Sequence, residues 1–226
     1  MLIKLPEVLP KELVCEIHAA LKSAAWVDGR VTAGTQAAVV KNNQQLDEND
    51  PLLNKIRKVV LQALQNDPLF FSAALPKKIL PPFVNRYAGS TNSYGFHVDN
   101  AMRYMPDGSD SVRADVSATL FLNDQEDYDG GELIVQDVFG EQTVKLPAGS
   151  LVVYPSSSVH AVSPVTRGER IACFMFIQSM VRDPSKRRIL FDLDMSLVKL
   201  RQQIGESAEV VNLTGVYHNL LRQWAE

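Results

Sequence analysis

From about Lys78 onward the chain is a series of short apolar runs, each closed by turn residues. "PPFVNRYAG", "YGFHVD", "VRADVSATLFLN", "GGELIVQD", "EQTVKLPAGSLVVYP", "HAVSPV" and "ERIACFMFIQS" follow one another in quick succession. "EQTVKL" and "RADVSATLFL" alternate in part, while "IACFMFI" is apolar on both faces. Seven or eight strands at this spacing predict a sandwich or jelly roll rather than a βαβ sheet. "YDGGEL" and "LPAGSL" supply glycine where tight turns are needed.

Helical texture flanks this core. "LPKELVCEIHAALKSAAW" spaces Leu13, Ile17, Leu21 and Ala24 at helical intervals, and "NDPLLNKIRKVVLQALQND" repeats the pattern. Asp50 is the expected N-cap of that second helix, with Pro51 in its first turn. Beyond Arg182, "SLVKLRQQI" and "VYHNLLRQWAE" are again helical in spacing. The expected organisation is a unit over 1–182, its strand-rich core at about 78–182, and a small C-terminal helical appendage over 183–226. The fold class is α+β with a mainly β core.

Bulk properties remove several function classes. A chain of 226 residues has room for one sizeable domain, or a domain with a small appendage. A net charge of −3 lacks the basic excess of a nucleic-acid footprint. The one dense basic run, Lys186-Arg187-Arg188, reads as a solvated helix start. Cys15 and Cys173 do not form a disulfide framework, and Cys173 in "IACFMFI" reads as a buried small residue. "MLIKLPEVLPKEL" has no cleavable apolar core, and no apolar run approaches membrane-spanning length. These features predict a cytoplasmic protein with no membrane segment.

Chemistry concentrates at "SYGFHVDNA". In a strand, residues i and i+2 share a face, so His97 and Asp99 can present an imidazole and a carboxylate side by side. Alone, this is as well explained by a strand-end histidine bonded to its neighbour. A third ligand must come from His18, His160 or His218. His18 and His218 fall in predicted helices, whereas His160 is expected to end a strand, as His97 does. Two histidines and one carboxylate on one face of an octahedral ion make the facial triad of non-haem iron(II) oxygenases. Arg170 follows His160 by ten residues and shares its face with Ala172, Phe174 and Phe176. A turn near Arg167-Gly168 is expected to fold its strand back beside the one ending at His160. A charge aimed into apolar surroundings is costly unless an anion meets it, and the guanidinium fork suits a carboxylate. Pairing of Arg170 with Glu169 is the plainer alternative. Iron(II), Asp99, Arg170 and a dicarboxylate would together be formally neutral. Three protein ligands leave two positions for a 2-oxo acid and one for dioxygen.

"RYAGSTNSYGFHVDNA", "ATLFLNDQEDYDGGELIV" and "LPAGSLVVYPSSSVHAVSPVTRGERIACFMFIQSMVRD" closely resemble the iron(II)/2-oxoglutarate-dependent dioxygenases. More narrowly, they resemble the bacterial PKHD-type hydroxylases, relatives of the prolyl 4-hydroxylase branch. The resemblance covers nearly the whole chain. It implies a double-stranded β-helix, a jelly roll flanked by helices. It implies that His97, Asp99 and His160 bind Fe(2+), that Arg170 binds the distal carboxylate of 2-oxoglutarate, and that Tyr87 hydrogen-bonds the same cosubstrate. It also implies hydroxylation with release of succinate and CO2, and L-ascorbate as a reductant.

Other readings stay open at this point. The jelly roll could be an iron dioxygenase that does not use 2-oxoglutarate, or a non-catalytic metal-binding, iron-sensing protein. The substrate could be a protein or peptide side chain, or a small molecule such as a metal chelator. Residues 101–115 form a polar stretch that is either a lid or a plain connection. The acids of "NDQEDYDGGE" read as a solvated loop. Cys15 and His18, three apart on a helix, could form a second metal site, and an apolar face on the C-terminal helices could pair two copies into a homodimer.

Overall fold

A computed structural model of the protein describes residues 1–105, 107–138 and 140–226. Helix α1 (Lys11–Leu21) buries Val14, Ile17 and Leu21. It stops before Ala24, because Trp26 already belongs to a strand paired with Leu46. The short α2 (Thr35–Val40) was not legible in the sequence. In α3 (Pro51–Gln65) the Asp50 carboxylate accepts from the Leu52 N–H at 2.9 Å, and Pro51 fills the first turn as expected. Leu53, Ile56, Val60 and Leu64 recur at helical spacing, each almost fully buried and each worth roughly 1.5–3 kcal/mol of apolar burial. Asp67 caps α4 (Pro68–Ala74) in the same way, accepting from Phe70 N–H at 2.9 Å.

The strands form two facing sheets. The larger runs β1 (Ile3–Leu5), β14 (Leu151–Pro155), β10 (Val116–Phe121), β17 (Glu169–Ser179), β6 (Phe83–Ala88), β4 (Gln44–Leu46) and β2 (Trp26–Asp28), with β5 (Pro76–Ile79) also on β17. The smaller runs β13 (Gly140–Val144), β12 (Leu133–Asp137), β15 (His160–Val162), β7 (Ser93–His97) and β3 (Lys41–Asn42). All these pairings are antiparallel. Two small ribbons complete the set: β8 (Met102–Tyr104) with β9 (Ser111–Arg113), and β11 (Asp129–Gly130) with β16 (Val165–Arg167). The architecture is a double-stranded β-helix flanked by helices.

The central strands of the larger sheet are buried on both sides, and alternation divides their residues by role. Val116, Ala118 and Leu120, Leu151 and Val153, and Ile171, Cys173, Met175 and Ile177 join the core shared with α1, α3 and α4. The intervening residues face the smaller sheet, where Tyr87, Phe121, Val152 and Tyr154 pack with Leu133, Val135, Val144 and Val162. "IACFMFI" is therefore apolar throughout because both of its faces are covered.

Two expectations about the strands need correction. His160 opens a strand instead of ending one: β14 stops at Pro155, and a turn separates it from β15. The strand carrying Arg170 does not return beside His160. It lies between β10 and β6 in the other sheet, while β15 pairs with β12 and β7. Residues 101–115, one of which (106) lies outside the described set, contain the β8–β9 hairpin, with Val112 fully buried.

After β17, α5 (Pro184–Ile204) and α6 (Ala208–Trp224) pack through Leu190, Leu197, Val210 and Tyr217 with Leu75 and Val181. In the basic run, Arg187 is not solvated. It is buried and donates to the carbonyls of Val181 and Arg182, both at 2.8 Å. Among the described residues no helix is long and apolar enough to cross a membrane.

Two glycines offer a test of how closely the small ribbons pack. A Cβ on Gly130 (φ +73°) would sit 2.0 Å from the Pro164 carbonyl oxygen, whereas one on Gly89 (φ +55°) would meet nothing within 4 Å. Gly89→Ala should cost roughly 1 kcal/mol of stability in urea unfolding, and Gly130→Ala roughly 3 kcal/mol or more. Equal costs would contradict the described approach of β11 to the Pro164 turn.

Candidate metal centre and its cavity

β7 and β15 place His97 and His160 directly opposite each other in register, with ring centroids 4.3 Å apart. Asp99 lies two residues beyond the end of β7, and its Oδ2 is 3.7 Å from His160 Nε2. One ligand atom from each of the three falls within 4.8 Å of the others. Each imidazole Nδ1 bonds the carbonyl two residues before it, Gly95 O at 2.8 Å and Ser158 O at 3.0 Å. That pattern protonates Nδ1 and leaves the Nε2 lone pair free, which is the form that binds a metal. Burial, helped by the neighbouring His160, holds the His97 pKa down at about 3, so this ring is neutral. Tyr94 stacks on it at 3.6 Å and 13°. Ser117 donates to Asp99 Oδ2 at 2.6 Å and is itself bonded to Ser156 at 2.7 Å. Ser117 lies on the cavity face of β10, a role that its sequence context does not reveal.

A second feature lies deeper. Arg170 is 1% exposed, and its Cζ lies 5.2 Å from the Tyr87 ring centroid and 5.1 Å from that of Phe121. Glu169 does not pair with it; that carboxylate takes Arg86 at 2.8 Å. The Nε and Nη1 of Arg170 find no acceptor, and neither Asn85 Oδ1 nor the Tyr128 hydroxyl has a partner. Leaving a buried guanidinium unpaired is expensive, so unused donors here are donors for an anion. Tyr87 is the register partner of Arg170 on β6, and burial raises its pKa, keeping the phenol protonated. Tyr128 comes from the acidic stretch expected to be solvated, yet it is buried. The chain wraps onto Arg170 because Gly131 (φ +68°) has no Cβ, which would lie 2.9 Å from Tyr128 Cε2 and 3.0 Å from Arg170 Cδ.

His97, Asp99, His160, Tyr87 and Arg170 all line one cavity between the sheets. Two further cations line it that sequence reasoning missed: Lys41 and Arg103. Lys41 is only 6% exposed, and its ammonium donates to Thr32 Oγ1 at 3.1 Å. Burial lowers its pKa to about 8, with Arg103 acting in the same direction and Asp99 opposing. The expected charge balance changes accordingly, because the lining holds three basic residues against one carboxylate. The Cys15–His18 pair does not make a second site: His18 Nε2 is taken by the Leu122 carbonyl and Cys15 is exposed. Among the described residues, the His97 group is the one cluster of three or more such side chains close enough to hold a metal.

This fold and this cluster belong to a known class. The family model for the 2OG-Fe(II) oxygenase superfamily matches residues 82–178, and that for the PKHD-type hydroxylase C-terminal domain matches residues 185–226. A PKHD-type hydroxylase of Nitrosomonas europaea is 63% identical over 226 residues, covering all of both chains. The chain belongs to the PKHD-type hydroxylases, and is an iron(II)- and 2-oxoglutarate-dependent dioxygenase. The fold is shared with a Pseudomonas putida prolyl-4-hydroxylase (TM-score 0.52, 24% identity, 79% of this chain and 92% of that one). It is shared also with a Trichoplax adhaerens prolyl hydroxylase solved with a hypoxia inducible factor peptide fragment (TM-score 0.56, 16% identity, 84% and 86%).

The buried ammonium has a measurable consequence. The Lys41 pKa falls from 10.5 to about 8 on folding, so between those values the unfolded chain binds more protons. The cost of burying the charge is full below about pH 8 and fades as pH rises toward 10.5. Lys41→Met should therefore stabilise the ligand-free protein at pH 7 by roughly 1–3 kcal/mol, with the advantage shrinking at alkaline pH. Paired urea titrations at pH 7 and pH 10 would reveal a wrong sign.

Proposed function

We propose that His97, Asp99 and His160 hold the iron(II), and that Arg170, supported by Tyr87, seats the distal carboxylate of 2-oxoglutarate. A substrate C–H is hydroxylated, with release of succinate and CO2. The observation that carries this reading is the pair of unused Arg170 donors, buried in the same cavity as the three ligand atoms.

The bound iron and its cosubstrate supply the activation of dioxygen. The protein's own groups bind and orient. The Nδ1–carbonyl bonds fix both imidazoles, and Ser117 fixes the Asp99 carboxylate. Arg170 offers a planar fork to a carboxylate, and the neutral Tyr87 and Tyr128 hydroxyls stand near it as donors. The rings of Phe121 and Phe174 keep the surroundings dry, which strengthens each of these polar contacts. No side-chain general base is required.

The same reading takes residues 1–182 as the dioxygenase unit and 183–226 as its helical appendage. L-Ascorbate serves as the reductant that keeps the metal ferrous, and the protein works in the cytoplasm. Exposed Ile204, Val211 and Val216 on α5 and α6 supply an apolar face for a homodimer.

Arg170→Met should weaken 2-oxoglutarate binding by about a hundredfold or more, the cost of truncating one partner of a buried charge pair. Anaerobic titration of the iron(II) protein, followed by the visible charge-transfer band of the chelate, measures it. Unchanged affinity would remove Arg170 from the cosubstrate site. Ser117→Ala should leave folding intact while lowering metal affinity by about 10–100-fold, as loss of a ligand-orienting bond does. Titration of the metal-free protein with manganese(II) provides the readout.

A further inference from the structure

Lys41 and Arg103 have no part in the function described so far. They arrive from separate elements, yet both donate to one residue: Lys41 Nζ to Thr32 Oγ1 at 3.1 Å, and Arg103 Nη2 to the Thr32 carbonyl at 3.2 Å. Neither has a carboxylate within ion-pair distance among the described residues. Both also lie against aromatic rings: the ammonium is 5.2 Å from Tyr94 and 5.6 Å from Phe174, and the guanidinium is 4.9 Å from Phe176. Cation–π contacts return about 0.5–2 kcal/mol each, and an apolar side chain would pack there without the desolvation cost.

Position along β17 separates these cations from the cosubstrate end. Phe174 and Phe176 lie four and six residues beyond Arg170 on the same face, or about 13 and 20 Å at the usual strand rise. The far carboxylate of a diacid, once seated on Arg170, cannot also reach them. Phe176 is instead the register partner of Ser117, which holds Asp99. Arg103, against Phe176, is thus level with Asp99, while Lys41, against Phe174 and the Tyr94 ring that stacks on His97, stands two strand residues nearer Arg170. Charge points the same way. The lining carries Lys41, Arg103 and Arg170 against Asp99, a surplus of two positive charges. Iron(II) and the 2-oxoglutarate dianion cancel each other, so the surplus persists when both are bound.

Resting on the reading of the metal and cosubstrate given above, we propose that the substrate is an organic acid. Its carboxylate is held between Lys41 and Arg103 beside Thr32, which brings a neighbouring C–H to the metal. One carboxylate uses the free donors of both cations and lowers the surplus from two positive charges to one.

The test uses the full chain loaded with manganese(II) and 2-oxoglutarate under anaerobic conditions. The probes are N-acetylated amino acids, each as the free acid and as its primary amide, with binding read by ligand-observed NMR. Acids should bind more tightly than their amides by about tenfold or more, the weight of a charge-assisted hydrogen bond. That preference should vanish in Lys41→Met and Arg103→Met and persist in Lys41→Arg, with thermal unfolding showing that each variant is folded. Amides that bind as well as acids would overturn the proposal. So would a double variant that keeps the preference, or a wild-type protein that binds 2-oxoglutarate but none of the acids. If Lys41→Met loses 2-oxoglutarate as Arg170→Met does, Lys41 belongs to the cosubstrate site and only this proposal falls. A wild-type protein that binds no 2-oxoglutarate fails before any probe is added, and both readings fall together.

Discussion

The register of the central strands is the constraint on which everything else depends. β6, β10, β14 and β17 are covered on one side by helices and on the other by the second sheet, so no residue in them is neutral with respect to facing. Ser117 and Thr119 stand between Val116, Ala118 and Leu120. Arg170 stands next to Ile171, and Tyr87 is two residues past Asn85 on the cavity side. A slip of one residue would send Arg170 into the helix-backed core and a leucine or isoleucine into the cavity, which fails on both faces. The apolar core and the polar cavity are therefore set by one alternation. The helices matter to the chemistry because α1, α3 and α4 make the outer face unambiguous.

Within that frame the cavity carries more positive charge than its own side chains neutralise. Arg170 is buried with two unused donors, and Lys41 is buried with its pKa pulled down to about 8. Each arrangement costs stability in the empty protein and returns it when an anion arrives. Asp99 cannot serve both ends, because it is engaged by Ser117 and faces His160. Without an anion this distribution of charge is unfavourable, and the ligands that relieve it are defined by where the unpaired cations stand.

What could be read from the sequence was whatever is local in the chain. His97 and Asp99 are two residues apart, and His160 and Arg170 are conspicuous polar residues next to apolar strands, so each stood out before any pairing was known. The resemblance added Tyr87. Pairing itself was harder to see. The strand of Arg170 was expected beside that of His160, but its eleven residues, eight of them buried, lie in the middle of the other sheet. Ser117, Tyr128 and Lys41 had no local signature at all. A serine in "DVSATLF" reads as strand filler until β10 brings it to Asp99. Tyr128 sits among acids that do face solvent. Lys41 ends "QAAVVK", a pattern that could belong to many surface helices, and its burial follows from pairing with Tyr94 across β3 and β7. The predicted helix reaching Ala24 failed for the same reason, since long-range pairing of Trp26 with Leu46 ends it early.

The two ends of the cavity are built by different means. Arg170 and Tyr87 face each other across adjacent strands of the main sheet, where a shift would disturb the whole core. The opposite end is framed by Thr32, Lys41 and Arg103, which come from a short helical turn, a two-residue strand and an exposed hairpin. These pieces lie at the margins of the sheets, where changes of length and side chain cost little elsewhere. The superfamily model spans residues 82–178 and so takes in Tyr87, His97, Asp99, His160 and Arg170, but Thr32 and Lys41 fall outside it. A fold organised in this way can keep one oxidising centre and one cosubstrate anchor while the N-terminal segment decides what is brought to them. Specificity is then to be sought in the chemistry of residues 29–42, and there the chain places a buried cation.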